Sequence, residues 1–597
     1  MPHRVGMTSW YNPGRLVSIA IRVAISTIFG EFVDRREAMA AAREIDPDAI
    51  DKNYDYSAND ELWFDFMADT GDGWNPAYAM ARLLAEPVLA VPDTVSAEHH
   101  ELPRGRLLIL GGDEVYPTAS REDYDTKLVA PLKEAASHVT WPNPPPDLYA
   151  LPGNHDWYDG LSAFVGLFCA RRIGGPLSPP RNGRSIGGRL TQQTRSYFAL
   201  KLPGGWWLWG IDAQLTSYID QSQVDFFATV AKEWMPERSK VIMCAAQPYW
   251  AYAKSNPDAA THFTNFAYME NLLDTAEKSH ELRLVLTGDS HHYARFTETN
   301  AAEREVHYIT AGGGGAFLHP THQLHDTDFE SDMPLPGTPR PIPDTKKYKR
   351  SFKLAADSRT RKPSVFPSAK TSRRLAWRNL AFAIYNPVYT LSVGAACIFF
   401  AWLLHANARL YGIDLPTALG RPETGYIAAL CCYFRLVIAT PWPLLLAAAV
   451  AGGYYYLADF YPNWRRALAG GLHALLQMGA VVSVTPLLGW LVQPAPPAWR
   501  TVLLIASIGV AGGILGATLL GVYFLFCLNV FGVHWNEAFS SLRIADYKNF
   551  LRLHIDCSGK LTVYPVGLAK VPTDDAADGT TKPRLTPHMI EKPIPLC

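Results

Sequence analysis

From about Asn386 to Val533 the chain is apolar and almost free of charge, and this stretch restricts the possible folds more than any other feature. A helix needs about 20 apolar residues to cross the hydrocarbon layer of a bilayer. Four runs reach that length: about Pro387–His405, Ile438–Phe460, Ala469–Val492 and Val502–Phe531. Gly452-Gly453, Gly470-Gly471 and Gly512-Gly513 offer positions where helices can approach closely. Arg435, near the edge of the second run, can extend its head group to the interface. No run of intramembrane acids accompanies these helices, which argues against a transporter. The expectation is an integral, multi-pass membrane protein.

Basic residues set the expected orientation. Lys370, Arg373, Arg374 and Arg378 precede the first run, Arg465 and Arg466 separate the second from the third, and Arg543, Lys548 and Arg552 follow the fourth. With four crossings all three groups share one side, which by the positive-inside bias is the cytoplasm. Arg409, Arg421 and Arg500 fall on the other side, so the bias is incomplete. An odd number of crossings would separate the soluble parts before and after the membrane. An even number puts both in the cytoplasm.

A chain of 597 residues is too long for one ordinary domain. The expected division is an N-terminal segment 1–50, an α/β domain 51–333, a Pro-, Lys- and Arg-rich linker 334–380, the membrane region 381–533 and a tail 534–597. In the tail, Leu561-Thr562-Val563-Tyr564 alternates like a strand after the turn at Ser558-Gly559, so a small lobe docking on the soluble domain is expected. His534, Asn536 and Glu537 read as an interfacial polar cluster. Around Leu16–Phe29 the apolar residues are interrupted by Arg22 and no cleavage site follows; such a helix suits either a membrane surface or a protein surface. A net charge of -1 gives no basic face for nucleic acid. The eight cysteines lack framework spacing and read as small buried hydrophobes of a reducing compartment.

The soluble half repeats one design, a short apolar run delivering polar residues at its end. Leu62 to Met67 leads to Asp69-Thr70-Gly71-Asp72, and Leu107 to Leu110 leads to Gly111-Gly112-Asp113. Leu148 to Leu151 leads to Gly153-Asn154-His155-Asp156, and Leu282 to Leu286 leads to Gly288-Asp289-Ser290-His291-His292. Open α/β sheets build sites at the carboxyl ends of strands. Carboxylates, amide oxygen and imidazole are the donors that hold hard divalent cations.

Gly112-Asp113, then Gly153-Asn154-His155-Asp156, then Gly288-Asp289-Ser290-His291 resemble the ordered motifs of calcineurin-like metallophosphoesterases, here in a membrane-tethered bacterial-type form, over roughly residues 60 to 320. The resemblance implies a four-layer α/β/β/α sandwich, followed by an all-α transmembrane bundle, and two divalent metal ions. It implies that Asp113 bridges the metals, that Asn154, Asp69 and His291 are ligands, and that His155 stabilises the phosphoryl transition state or protonates the leaving group. The implied reaction is in-line attack of metal-bound hydroxide on a phosphate ester.

The sequence departs from the family pattern at three ligands. Asp69-Thr70-Gly71 lacks the usual histidine, with Asp72 the nearest replacement, and Asp289 stands where a histidine usually does. Ala246, before Gln247-Pro248, replaces a third histidine, leaving Gln247 as a weak oxygen donor. Oxygen-rich coordination favours Mn²⁺ or Mg²⁺ over zinc, with manganese preferred among Mn, Fe, Zn and Mg. Equally, one metal site could be weak or the domain inactive, so the alternative is a membrane-bound sensor or scaffold that retains the fold. Tyr116, Arg121, Gln247 and His292 are candidate substrate contacts, an ordinary salt bridge being the other reading for Arg121. His319 and His322 follow the run Gly312 to Gly315, which permits close backbone approach, but packing or surface roles fit them as well. His99-His100 receives no role. A lipid-linked phosphate is an attractive substrate because membrane lipids lie beside the domain.

Overall fold

Buried runs such as Leu107-Leu108-Ile109-Leu110 carry apolar side chains on both faces, as strands covered on two sides must. The computed structural model describes residues 4–32, 36, 54–93, 98–171, 182–213, 218–252, 257–336, 347–420, 425–572 and 585–596. Its contacts divide the chain into two compact units, one of Met1–Thr8, Ser18–Ser372 and Arg543–Cys597, the other of Ser9–Val17 and Arg373–Leu542.

The first unit holds two mixed nine-stranded sheets. In one, Leu62–Met67, Leu107–Leu110 and Asp147–Ala150 run parallel, so their carboxyl ends share an edge. In the other, Lys240–Ala245, Glu281–Thr287 and Glu305–Ala311 run parallel in the same way. Phe64, Phe66, Ile109 and Tyr149 from the first sheet share one buried cluster with Leu208, Ile242, Leu284 and Ile309 from the second. A second cluster joins Leu108, Leu110 and Leu148 to Met80, Leu84, Leu132 and Phe164 of helices Trp74–Ala85, Ala130–Ala136 and Ser162–Phe168. A third joins Trp207, Trp209 and Met243 to Phe227 and Phe266 of helices Gln221–Thr229 and Pro257–Thr275.

Two expectations need correction. The tail is no separate lobe: Lys548–Ile555 pairs antiparallel with Leu62–Met67, and Leu561–Leu568 pairs with it in turn. Arg552 fixes that register by bonding Asp65 at 2.7 Å, both side chains fully buried, while its other nitrogen reaches the Leu102 carbonyl. The strand pairing was invisible locally because its partners lie almost 500 positions apart (Asp65 and Arg552 are separated by 487). Likewise Tyr348–Leu354, placed by composition in a linker, pairs with Thr327–Ser331 and Tyr293–Thr299. Most of the expected N-terminal segment 1–50 after Phe32 lies outside the described residues.

Among the described residues of the second unit three helices are long and apolar enough to cross a membrane: Pro387–Leu410, Asn463–Leu491 and Pro497–Phe531. The expected second run is not one straight helix. Gly425–Ala439 and Pro441–Leu457 meet at 87°, so the count is three, or four if the bent pair is one span. Pro441 explains the break, since it lacks an N–H and its ring crowds the preceding turn. The Thr440 hydroxyl caps the loss by donating to the Leu436 carbonyl at 2.6 Å. Helices Pro387–Leu410 and Pro497–Phe531 touch through glycine: a Cβ on Gly394 would lie 2.8 Å from the Gly509 carbonyl, and one on Gly513 2.6 Å from that of Thr390. Gly452, Gly453 and Gly471, also expected at such contacts, face open space. Asn386 donates to the Ser541 carbonyl, Asp459 and His534 bond each other, and Gln493 donates to the Pro416 carbonyl.

Candidate metal centre

Each motif sits just past the carboxyl end of its strand, and three of the aspartates adopt left-handed backbone: φ is 60° at Asp69, 54° at Asp113 and 61° at Asp289. Aspartate tolerates this region better than most residues, yet three instances at facing strand ends mark a site where the backbone is bent to aim carboxylates. Glycines give them room. A Cβ on Gly312 would come within 2.4 Å of Asp69 Oδ2, and one on Gly153 within 2.2 Å of Asp113 Oδ1. Behind them Asp156 accepts from the backbone N–H of Gly153 and of Glu114, locking the two loops together.

The centre of the cluster is Tyr116. Its hydroxyl lies 2.7 Å from Asp69 Oδ1, 3.3 Å from Asp113 Oδ2 and 2.9 Å from His291 Nε2. His291 Nδ1 contacts the Phe317 carbonyl at 2.7 Å, and a carbonyl only accepts, so the ring proton is on Nδ1 and Nε2 is an acceptor. One phenolic proton therefore faces three acceptors. Asp69 Oδ2 and Asn154 Oδ1 are buried with no hydrogen-bond partner, and so is Asp72 Oδ2, whose other oxygen accepts from the Thr8 N–H at 2.9 Å. Such a set is short of positive charge, and oxygen donors of this kind suit a hard divalent cation.

The electrostatics agree. Burial, then the neighbouring Asp113 and Asp289, hold the Asp69 carboxyl well above the ordinary range. Burial raises Asp113 to about 7, and burial with the Asp113 charge raises Asp289 to about 7. Glu114, next to Asp113 and hydrogen-bonded to Gly112 N–H and Thr70, is pushed well up by burial and Asp156. Burial lowers His155 to about 4; its Nδ1 contacts the Pro117 carbonyl at 2.7 Å, and its N–H donates to Asp113 Oδ1 at 2.8 Å. His155 is thus a neutral imidazole with its ring proton on Nδ1.

Asp69, Asp113 and His291 are brought together around one hydroxyl, and the His155 backbone joins them. Asn154 donates through Nδ2 to Tyr158. Asp289 is half-buried; its carboxylate accepts from the Gln247 amide nitrogen at 3.4 Å and feels the charges of Asp69 and Asp113. Ala246 beside it packs toward Gly112. Tyr116, expected as a substrate contact, lies among the carboxylates at the centre. His292 is buried, lowered to about 3 by burial, with its Nδ1 unpartnered. Arg121 opens the three-residue helical turn Arg121–Asp123 and is exposed. His322 turns away to Ser372.

Four participants were not legible as such. His319 stacks on His291 at 3.9 Å and accepts its N–H through Nδ1. Lys548, from the tail strand, is buried, donates to the Ala316 carbonyl and is lowered to about 8 by burial against the opposing pull of Asp72, Asp546 and Asp69. Asn549 follows it, its amide unpartnered against Gly313. Local signals existed for two of them, the Gly312–Gly315 run before His319 and the adjacency of Glu114 to Asp113.

Away from this cluster, Asp93, Glu98 and His100 bring one ligand atom each within 4.8 Å of one another at the hairpin Val88–Pro92/His99–Pro103. This second group is also compatible with a divalent cation, although Arg359 already pairs with Asp93.

No family model matches the chain, and no curated protein does. A solved structure titled "Structure of PhoD" is similar at 10% identity and a TM-score of 0.27, over 43% of this chain and 58% of that one. The chain thus spans somewhat more than half the length of that structure, and a likeness this slight carries no inference about activity.

Proposed function

We propose that the first unit is a divalent-metal-dependent phosphoester hydrolase held at the cytoplasmic membrane face. One observation carries the reading: a single Tyr116 proton faces Asp69, Asp113 and His291, beside unpartnered oxygens of Asp69, Asp72 and Asn154. Asp69, Asp72, Asp113, Asn154, Asp289 and His291 would hold two cations, manganese preferred. Such cations would neutralise phosphoryl oxygens and lower the pKa of an attacking water.

The chain's own residues then have separable tasks. Asp156 and the Pro117 carbonyl fix the loops that carry Asp113 and His155. His155, a neutral imidazole held by the Pro117 carbonyl, gains proton affinity when an anionic ester binds beside it, takes up a proton from solvent and hands it to the departing oxygen. The shared core of the two sheets, with helices packed outside each, supports a four-layer α/β/β/α arrangement. The cytoplasmic placement rests on the basic residues and on an even number of crossings. Strands before and after the membrane region pair in one sheet, which four spans allow and three do not.

The full-length protein in lipid nanodiscs should release product from a phosphodiester only with added Mn²⁺, and Asp113→Asn should abolish it. A wild-type rate equal to the variant's would contradict the reading. It would favour the sensor or scaffold alternative, which the sparse surroundings of Asp289 and the alanine at 246 support. Comparison of water-soluble and bilayer-embedded esters tests the lipid-linked substrate, and equal rates on both would remove that preference.

A further inference from the structure

Helix Pro13–Phe32 has two unlike faces. Val17, Ile21, Ile25 and Ile28 are 59%, 55%, 50% and 56% exposed, and Ala20 and Ala24 between them are exposed too. At about 100° per residue the four large side chains fall within an arc of about 80°. Ser26, the buried residue of this stretch, points roughly opposite that arc. A continuous stripe of branched aliphatic side chains is an unusual surface to leave in water.

Two features identify what covers it. The residues leading into the helix, Ser9–Val17, belong to the same compact unit as the apolar helices. There the Tyr11 ring packs on Phe382, Tyr389 and Phe524, and its hydroxyl donates to the Glu537 carbonyl at 3.0 Å. The helix therefore starts where the spanning helices end. Arg15 lies on the flank away from the stripe and is exposed, the arrangement of a helix lying in an interface with anionic head groups.

The inner face is tied to the candidate site. Arg22 donates to Thr118 Oγ1 at 3.0 Å, next to Pro117 whose carbonyl holds His155. Ser26 donates to the Trp157 carbonyl at 2.6 Å, two residues beyond His155. Arg36 stacks on the Trp157 ring at 5.0 Å and bonds Asp220 at 3.2 Å.

We propose that helix Pro13–Phe32 lies in the plane of the bilayer surface, with Val17, Ile21, Ile25 and Ile28 in the acyl layer, and that its inner face holds the two segments around His155 against lipid-presented substrate. The second clause rests on the phosphoesterase reading; the first does not.

The test uses the full chain in nanodiscs of phosphatidylcholine and phosphatidylglycerol that carry an acyl-chain diazirine. Photolysis and peptide mapping should give lipid adducts at Val17, Ile21, Ile25 and Ile28 and none at Ser26. Adducts confined to the spanning helices overturn the placement, whether or not the protein is active. The double variant Ile21→Glu/Ile25→Glu should hydrolyse bis-p-nitrophenyl phosphate at the wild-type rate and a bilayer-embedded phosphodiester about tenfold more slowly. Equal effects on both substrates overturn the link to the site. Adducts without hydrolysis of either ester by wild type keep the helix in the membrane and overturn the phosphoesterase reading instead.

Discussion

The two sides of the candidate centre are built to different standards. On the Asp69 side, carboxylates, Tyr116, His291 and the stacked His319 are buried and mutually bonded, and Gly312 brings the chain against Asp69. On the Asp289 side a half-buried carboxylate is held by a long hydrogen bond from Gln247, and alanine stands at 246, where a further donor could have been. Held donors lose little freedom when a cation binds, whereas loosely held ones must be ordered at that moment. On the proposed metal-dependent reading, the difference teaches that the two cation positions would be unequal: a tight one beside Asp69 and a weaker one beside Asp289.

Removing the residue common to both sides should do the most. Asp113→Asn is expected to weaken both equivalents of Mn²⁺ by more than about 100-fold, since even outer partners of metal ligands are worth about 10–100-fold; calorimetric titration checks this. Tyr116→Phe keeps the ring and removes the shared hydroxyl, and should weaken the tight equivalent by about 10-fold or more. Loss confined to the weak equivalent would break the assignment of sides. Asp289→Ala should weaken only the second equivalent, by about 10-fold, and leave the first unchanged.

A separate, graded effect is that of pH. With Asp113 and Asp289 raised to about 7, the cation-free folded state holds protons that the unfolded chain has lost above about 4. The native state binds more protons in that window, so stability without cation falls as pH rises from about 4 to 7. Cation affinity moves the opposite way, rising up to pH 7 by at most about tenfold per pH unit for each proton displaced. Thermal melts with chelator and with Mn²⁺ across that range should diverge as pH increases.

Legibility in the sequence followed the range of the interactions. Asp113, Asn154, His155 and Asp289 were readable because strand, turn and donor are adjacent in the chain. Lys548 and Asn549 were not, because a strand beyond the membrane region brings them to Ala316 and Gly313. Composition assigned Tyr348–Leu354 to a linker, since a strand that carries Lys349, Arg350 and Lys353 looks like solvent-exposed coil although it pairs on both sides. The apolar runs 387–410 and 497–531 were plain, but hydropathy averages over backbone geometry, and the turn at Pro441 was lost although its cause stands in the sequence.

The most direct measurement is the number of Mn²⁺ ions bound per full-length chain, compared between wild type and Asp113→Asn. Two per wild-type chain, of unequal affinity, with both lost in the variant, is the expected result. Unchanged binding in the variant would put the cation elsewhere, with Asp93, Glu98 and His100 the first place to look, and would contradict the centre built around Tyr116.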